Sequence, residues 1–297
     1  MLKKNVTISF DSTHFVVMCE DTLLIDMPAF IVRKKSETPC AISIGKDALL
    51  SKDELAENEM LVAPFKTGKI LDVLGAKLFI KNVLKTRLKL SPYATVSVLV
   101  QSGLSEEETV DLEDVFYASG YKNVQIVQRA ELIAELLTCN NKSAGLYFDN
   151  DTAEFVVAHP EIGVKSYAIN VSFSALAENL RDYFLRTNKL KLSIEVSEHI
   201  AKNYCSLFFG DTTKIIAEGK DSITFMQKSV ILTANDIYHI TRSIYLKVSN
   251  LIKAVVLDLP ETVASHIATK GIVLLGDGKK IQGLHEFIYK ELGLGVI

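Results

Sequence analysis

The chain opens on apolar and polar residues in alternation. Val6, Ile8 and Phe10 fall on one face of an extended segment, the period-two pattern of a half-buried strand. Phe15-Val16-Val17-Met18 and Thr22-Leu23-Leu24-Ile25 follow after turns too short for anything but antiparallel hairpins. A less regular stretch runs from Met27 to Pro64, with short strands and a charged Arg33-Lys34-Lys35-Ser36-Glu37 loop. Beyond Gly68 the apolar residues Leu71, Leu74, Leu78, Phe79 and Val83 take helical spacing. Val96-Ser97-Val98-Leu99-Val100 reads as a buried strand and Ser105 to Ser119 as a helix, closed by Gly120 where a left-handed cap is needed. Val124 to Val127 is a further strand, and Glu131 to Leu137 a helix.

After Asn140-Asn141-Lys142-Ser143 the order starts again. Leu146-Tyr147-Phe148, Phe155-Val156-Val157 and Val164 to Ile169 predict a second three-strand meander. Helices are expected at Ser172 to Leu185, Ser193 to Tyr204, Asn235 to Leu257 and Ile281 to Leu292. A strand-rich insert at Leu207 to Leu232 and a strand at Ile272 to Leu275 complete the pattern. Phe10-Asp11-Ser12-Thr13-His14-Phe15-Val16-Val17 stands against Phe148-Asp149-Asn150-Asp151-Thr152-Ala153-Glu154-Phe155-Val156-Val157. Both read Phe-Asp, a polar turn with Thr, then Phe-Val-Val. Such an echo at the head of two β-β-β-α series points to duplication. The expected lobes are 1–140 and 141–297.

Composition narrows the classes. The 297 residues are 48% apolar and 23% charged, ordinary for a globular chain. The 33 basic and 36 acidic residues leave a net charge of -3, which argues against a dedicated nucleic-acid binder. No apolar run approaches the ~18 residues of a membrane span. Met1-Leu2-Lys3-Lys4 leads directly into alternation, predicting no secretion signal and a cytoplasmic location. The Asn-x-Ser/Thr matches at Asn5, Asn141, Asn150 and Asn170 then read as chance. Cys19, Cys40, Cys139 and Cys205 are widely spaced and no two histidines lie three or four apart, so neither disulfides nor a structural metal is expected.

Four segments in the same order resemble the MreB family of bacterial actins, within the actin, Hsp70 and sugar-kinase superfamily. Ala63-Pro64-Phe65-Lys66-Thr67-Gly68-Lys69-Ile70 is similar to that family's R-P-L-K-D-G-V-I. Val98 to Glu108 is similar to V-x-V-P-S-G-I-T-x-x-E, and Gly120 to Val127 to A-G-A-x-x-V-x-L-I. Lys270 to Leu284 is similar to R-G-I-V-L-T-G-G-G-A-L-L-R-G-L. The resemblance implies an α/β, actin-like (ribonuclease H-like) fold of two duplicated lobes. Each would be a mixed sheet flanked by helices, with small inserted subdomains near 27–62 and 186–232. It also implies head-to-tail filaments and ATP held between the lobes.

The departures bear on that chemistry. Glycine-rich turns suit a phosphate because only glycine lets consecutive backbone N–H groups come so close to an anion. The family's D-x-G-T and D-I-G-G-G-T turns stand here as Asp11-Ser12-Thr13-His14 and Asp149-Asn150-Asp151-Thr152, both glycine-free and shortened. Asp151 adds a carboxylate where phosphate would lie, a repulsion of about 4 kcal/mol at 4 Å and an effective dielectric near 20. Asp11 and Asp149 keep the positions that hold Mg²⁺ in the family, although Asp also forms tight turns by bonding its own backbone. Glu108 matches the water-activating Glu, yet Ser105-Glu106-Glu107-Glu108 is also a capping box. Gly276 and Gly278 match the turn beside the adenosine, with Asp277 replacing the middle glycine, and a structural strand-to-helix turn explains them equally. Lys202 matches a helix Lys near the adenosine and also reads as a solvated side chain. Gln128-Arg129-Ala130 replaces E-E-P, and the chain reaches Val296-Ile297 where the family pattern continues through another strand and helix. One sheet edge is therefore expected to be incomplete or completed by a partner.

The expected function is an MreB-like cytoskeletal or scaffold protein in cell shape, with weak or lost ATP binding and hydrolysis. The nucleotide contacts, weak or vestigial, would be Asp11, Ser12, Thr13, Asp149, Thr152, Lys202, Gly276 and Gly278. ATP and Mg²⁺ are cofactors only if that site works, and no other cofactor is expected. An active filament ATPase gripping phosphate through the Ser12, Thr13 and Thr152 hydroxyls, with Glu108 positioning water for in-line attack, stays open. A small-molecule kinase of the same superfamily ranks below it, and neither G-x-x-x-x-G-K-[ST] nor G-x-G-x-x-G after a strand is present. Expected partners are further copies of the chain, another bacterial actin or a membrane-associated morphogenesis protein. The inner membrane face is the alternative location. Met1 to Lys4 is too short for an amphipathic helix, and Phe208-Phe209 is a candidate apolar contact that a buried hairpin would also explain.

Overall fold

The computed structural model describes residues 5–36, 40–169, 171 and 173–297. The Met1–Lys4 segment, Glu37 of the charged loop, the Asn170 sequon and the Ser172 helix start lie outside the described residues. Two compact units divide the chain, one ending at Glu131 and the other beginning at Leu132. The division falls within the helix Arg129–Cys139, whose Ile133 and Leu137 close over Gly145: a Cβ there would lie 3.2 Å from Ile133.

In the first unit five strands run in the order Asn123–Gln128, Thr95–Val100, Val6–Phe10, His14–Cys19, Thr22–Pro28. The last three form the antiparallel meander, and the first two join it in parallel. Parallel neighbours need long crossovers, supplied by residues 29–94 and by the helix Glu106–Ala118. The opening alternation is realised side chain by side chain: Val6, Ile8 and Phe10 are 2%, 0% and 4% exposed. Phe10 packs tilted against Phe65 with ring centroids 4.5 Å apart, and Phe15 meets Phe79 edge-on at 5.1 Å. This aromatic cluster anchors the segment after Pro64.

The helical spacing from Leu71 is realised as a helix Val73–Ile80 and a π-helical run Lys81–Arg87, preceded by a tight hairpin, Phe65–Lys66 against Lys69–Ile70, that the sequence reading did not single out. Leu71 and Leu74 are exposed, while Phe79 and Val83 carry the buried stripe. Thr67 and Gly68 have φ of 50° and 74°. Two residues of positive φ make the hairpin turn that matches strand twist.

The second unit repeats the plan with Gly163–Ile169, Ala153–His159, Ala144–Phe148 and Ile272–Gly276, again a meander plus a parallel strand. The expected open edge is lined by the chain's own last residues. Ile272 N–H donates to Gly295 O at 2.8 Å, Leu274 N–H to Ile297 O at 2.9 Å, and Ile297 N–H to Ile272 O at 2.9 Å. The run Gly295–Ile297 thus takes the place that Asn123–Gln128 has in the first sheet. The helix expected from Ile281 starts at Leu284, after a 3₁₀ turn Asp277–Lys280. A helix Glu261–Lys270, with Val263 and Ile267 buried, had no counterpart in the sequence reading.

Each unit also carries a small three-stranded sheet. One pairs Ala41–Ile44, Ile31–Lys34 and Glu59–Val62; the other pairs Leu190–Lys191, Lys214–Asp221 and Gln227–Thr233. Phe208 and Phe209 lie in neither strand of the long hairpin and are 47% and 81% exposed, which corrects the buried-hairpin reading. The hairpin's turn is built by Asp221, whose carboxylate accepts from Ile223 N–H and Thr224 N–H and pairs with Lys228 at 2.8 Å. The Lys228 bond, then the two turn amides, hold this carboxyl well below the usual range. Asp236 is lowered likewise, by the Thr233 backbone and hydroxyl. A depressed folded-state value means stability present above the unfolded value and lost as pH falls through the folded one. Thermal midpoints should therefore decline below about pH 4, and less so in Asp221→Asn; equal declines would remove Asp221 from the account.

Candidate functional site

The two glycine-free turns close in the same way. Asp11 N–H donates to His14 O and Asp149 N–H to Thr152 O, both at 3.0 Å, so each loop is four residues long. Asp11 Oδ1 accepts from Thr13 N–H and His14 N–H at 2.7 Å, and from Thr13 Oγ1 at 2.9 Å. Asp149 Oδ1 accepts from Asp151 N–H at 2.7 Å, from Thr152 N–H at 2.6 Å, and from Thr152 Oγ1 at 3.2 Å. Each aspartate therefore binds the amides two and three residues ahead, the turn-forming use of Asp.

The strand registers fix which residues correspond. Phe10 pairs with Phe15 and Phe148 with Ala153, so Ser12 answers Asn150, Thr13 answers Asp151, and His14 answers Thr152. The Phe-Val-Val portion of the sequence echo is consequently two residues out of register, since Phe155 pairs with Leu146. The Phe-Asp head of the repeat is equivalent; its tail is not.

The environments of the turns differ. Asp11, Ser12 and Thr13 are half-buried, whereas Asn150, Asp151 and Thr152 are 2%, 3% and 0% exposed. A buried carboxylate such as Asp151 needs hydrogen-bond partners to persist, and it has interactions within the fold. Glu154, fully buried in the strand Ala153–His159 that follows the turn, accepts from Ser166 Oγ at 2.6 Å.

Glu108 sits at the third position of the helix Glu106–Ala118. The capping box is complete: Glu108 N–H donates to Ser105 Oγ at 3.2 Å, and Glu108 Oε2 accepts from Ser105 N–H at 3.0 Å. The other carboxylate oxygen, Oε1, lies 2.5 Å from the Lys69 ammonium. Lys69 chiefly, then the Ser105 amide, lowers the Glu108 carboxyl below its ordinary value. Lys69 was not among the expected site residues, although the signal was in the sequence: it stands where the similar pattern has Val.

The glycine turn after Ile272–Gly276 is set by space. Gly276 has φ 62° and ψ -143°, a region essentially restricted to glycine. A Cβ there would stand 2.2 Å from Phe148 O, and one on Gly278 would stand 2.6 Å from the Phe148 ring. Asp277 pairs with Lys280 at 2.7 Å. Lys202 is half-buried in the last turn of the helix Ile194–Asn203. Arg129, 7% exposed, opens the helix Arg129–Cys139, a buried cation where the similar pattern carries an acid. Among the described residues no group of three His, Cys, Asp or Glu side chains is placed to hold a metal, and no helix is long and apolar enough to cross a membrane.

Duplicated meanders whose first two strands are each joined by an aspartate turn set the frame for comparison with known proteins. Residues 3–297 match the family described as MreB/Mbl protein. The chain belongs to the MreB/Mbl family. It is 20% identical over 263 residues to the cell shape-determining protein MreB of Escherichia coli (strain K12), covering 86% of this chain and 76% of that protein. It is 18% identical over 282 residues to the cell shape-determining protein Mbl of Bacillus subtilis (strain 168), covering 93% of this chain and 84% of that protein. Among solved structures, MreB 5 of Spiroplasma citri bound to AMPPNP matches with a TM-score of 0.85 at 19% identity, over 100% of this chain and 92% of that one. The MamK double helical filament matches with a TM-score of 0.76 at 12% identity, over 99% and 94%. The fold of this MreB/Mbl chain is therefore actin-like.

Proposed function

We propose that this MreB/Mbl chain is a cytoskeletal or scaffold protein of cell shape whose ATP binding and hydrolysis are weak or lost. The observation that carries the reading is the use of the turn amides. In both turns the aspartate takes the two N–H groups that would otherwise face an anion. No glycine lets the backbone come closer. The residues present do not fit a triphosphate cradle. Asp151 adds a buried negative charge to the second turn, and the Oδ1 atoms of Asp11 and Asp149 are already saturated by donors. Ser12, Thr13, Thr152, Lys202, Gly276 and Gly278 each have a structural use or setting that needs no nucleotide.

Family membership and cell-shape relatives support the cytoskeletal half of the proposal. Self-association is supported by the likeness to a filament-forming neighbour. It also fits the exposed hairpin turn, where Ile223, Phe225 and Met226 are 72%, 77% and 71% exposed. Placement in the cytoplasm, at the inner membrane face or with a membrane-associated partner belongs to the same reading.

Calorimetric titration of the full chain with ATP and Mg²⁺ tests it. No binding heat and no thermal stabilisation at roughly 0.5 mM ATP is the expected result. Micromolar binding, with turnover that disappears in Glu108→Ala, would sink the proposal and establish a working filament ATPase.

A further inference from the structure

We propose that Lys69 is a positioning residue that commits Glu108 to a structural role, joining the Phe65–Ile70 hairpin to the Glu106–Ala118 helix and withholding the carboxylate from work as a base. The inference deepens the proposed loss of hydrolysis and rests on it. It explains how a side chain that matches a catalytic glutamate in the sequence can be present and unused.

Three observations converge on this pair. First, both carboxylate oxygens are occupied, Oε1 by the Lys69 ammonium at 2.5 Å and Oε2 by Ser105 N–H at 3.0 Å. A base works through a lone pair directed at the proton it takes, and here each oxygen already accepts from a donor, the two donors coming from different elements. Second, the cation stands on an anchored hairpin. Its hairpin is fixed at one end by Phe65, fully buried against Phe10, and at its turn by Thr67 and Gly68 with φ of 50° and 74°. Gly68 is buried, and a Cβ on it would lie 3.5 Å from the Gln101 side chain. Third, the substitution is specific to the position. In the similar pattern R-P-L-K-D-G-V-I the apolar Val stands where Lys69 stands, and a Val cannot pair with a carboxylate.

Proton affinity follows the geometry. The ammonium and the amide favour the charged carboxylate, so Glu108 is held below its ordinary value and becomes a weaker base as well as an occupied one. The pair is partly exposed, with Lys69 at 43% and Glu108 at 28% side-chain accessibility. Exposed pairs contribute little to stability, so replacing Lys69 should leave the chain folded.

The test follows the Glu108 carboxyl by ¹³C NMR titration in the full chain, comparing wild type with Lys69→Val, Lys69→Arg and Glu108→Gln, the last identifying the resonance. In Lys69→Val the midpoint should rise toward the ordinary glutamate value, and Lys69→Arg should restore the low midpoint. A midpoint unchanged in Lys69→Val overturns the inference while leaving the proposed function standing, because the cap alone then sets the carboxyl. ATP binding to wild type without turnover would sink the lost-binding reading and leave the Lys69 inference intact. Turnover in wild type that is abolished in Glu108→Gln overturns both, since the carboxylate would then be working with Lys69 in place.

Discussion

Gly276→Ala is expected to cost about 4 kcal/mol or more, at the severe end of point substitutions. The added methyl would stand 2.2 Å from Phe148 O and 2.9 Å from the Tyr147 ring, in a backbone at φ 62° and ψ -143°. The Phe148 backbone oxygen cannot yield. Phe148 is in the neighbouring parallel strand, registered directly against Gly276, and its ring is 1% exposed. Relief would require separating the Ala144–Phe148 and Ile272–Gly276 strands at the centre of the second unit. Differential scanning calorimetry should record a fall of roughly 10 °C in the unfolding midpoint. A drop of only a degree or two would mean that the turn relaxes, and that the glycine is kept for something other than space.

Asp149→Ala should rank next, at about 3 kcal/mol, and above Asp11→Ala at about 1 kcal/mol. Bonding at Oδ1 does not separate the two, since each accepts from two amides and a threonine hydroxyl, and Asp149 Oδ2 adds a 3.2 Å contact with the same Thr152 Oγ1. Burial does. Removing Asp149 strands the amides of Asp151 and Thr152, which are 3% and 0% exposed. Water can replace Asp11 at the half-buried Thr13 and exposed His14. Urea unfolding monitored by circular dichroism reads both, and Asp149→Asn, which keeps an acceptor oxygen, should recover most of the loss. If Asp11→Ala proved the more damaging, the turn-forming account of these aspartates would be wrong.

How far the sequence could be read depended on the range of the interaction behind each feature. The Ser105–Glu108 capping box was legible because donor and acceptor lie three residues apart, and it is present to the last bond. The opening alternation was legible because each buried side chain reports its own face. The helix Glu261–Lys270 was not, since ten residues with only Val263 and Ile267 buried give the helical period almost nothing to repeat. Pro260 before it and Gly271 after it were the available boundary signals.

The sequence by itself determined the duplicated β-meanders, the aspartate at the head of each turn and the absence of glycine from both. These are local properties, written in neighbouring residues and bound by short-range sterics and period. Tertiary structure decided the rest. It set the repeat's tail two residues out of register, because pairing follows the closed four-residue loop rather than the best letter match. It laid Gly295–Ile297 beside Ile272 to line an edge that the sequence reading left open. It also brought Lys69 to Glu108 across 39 positions of sequence. Contacts like that last one depend on where an anchored hairpin and a capped helix come to rest, and chain spacing carries no record of it.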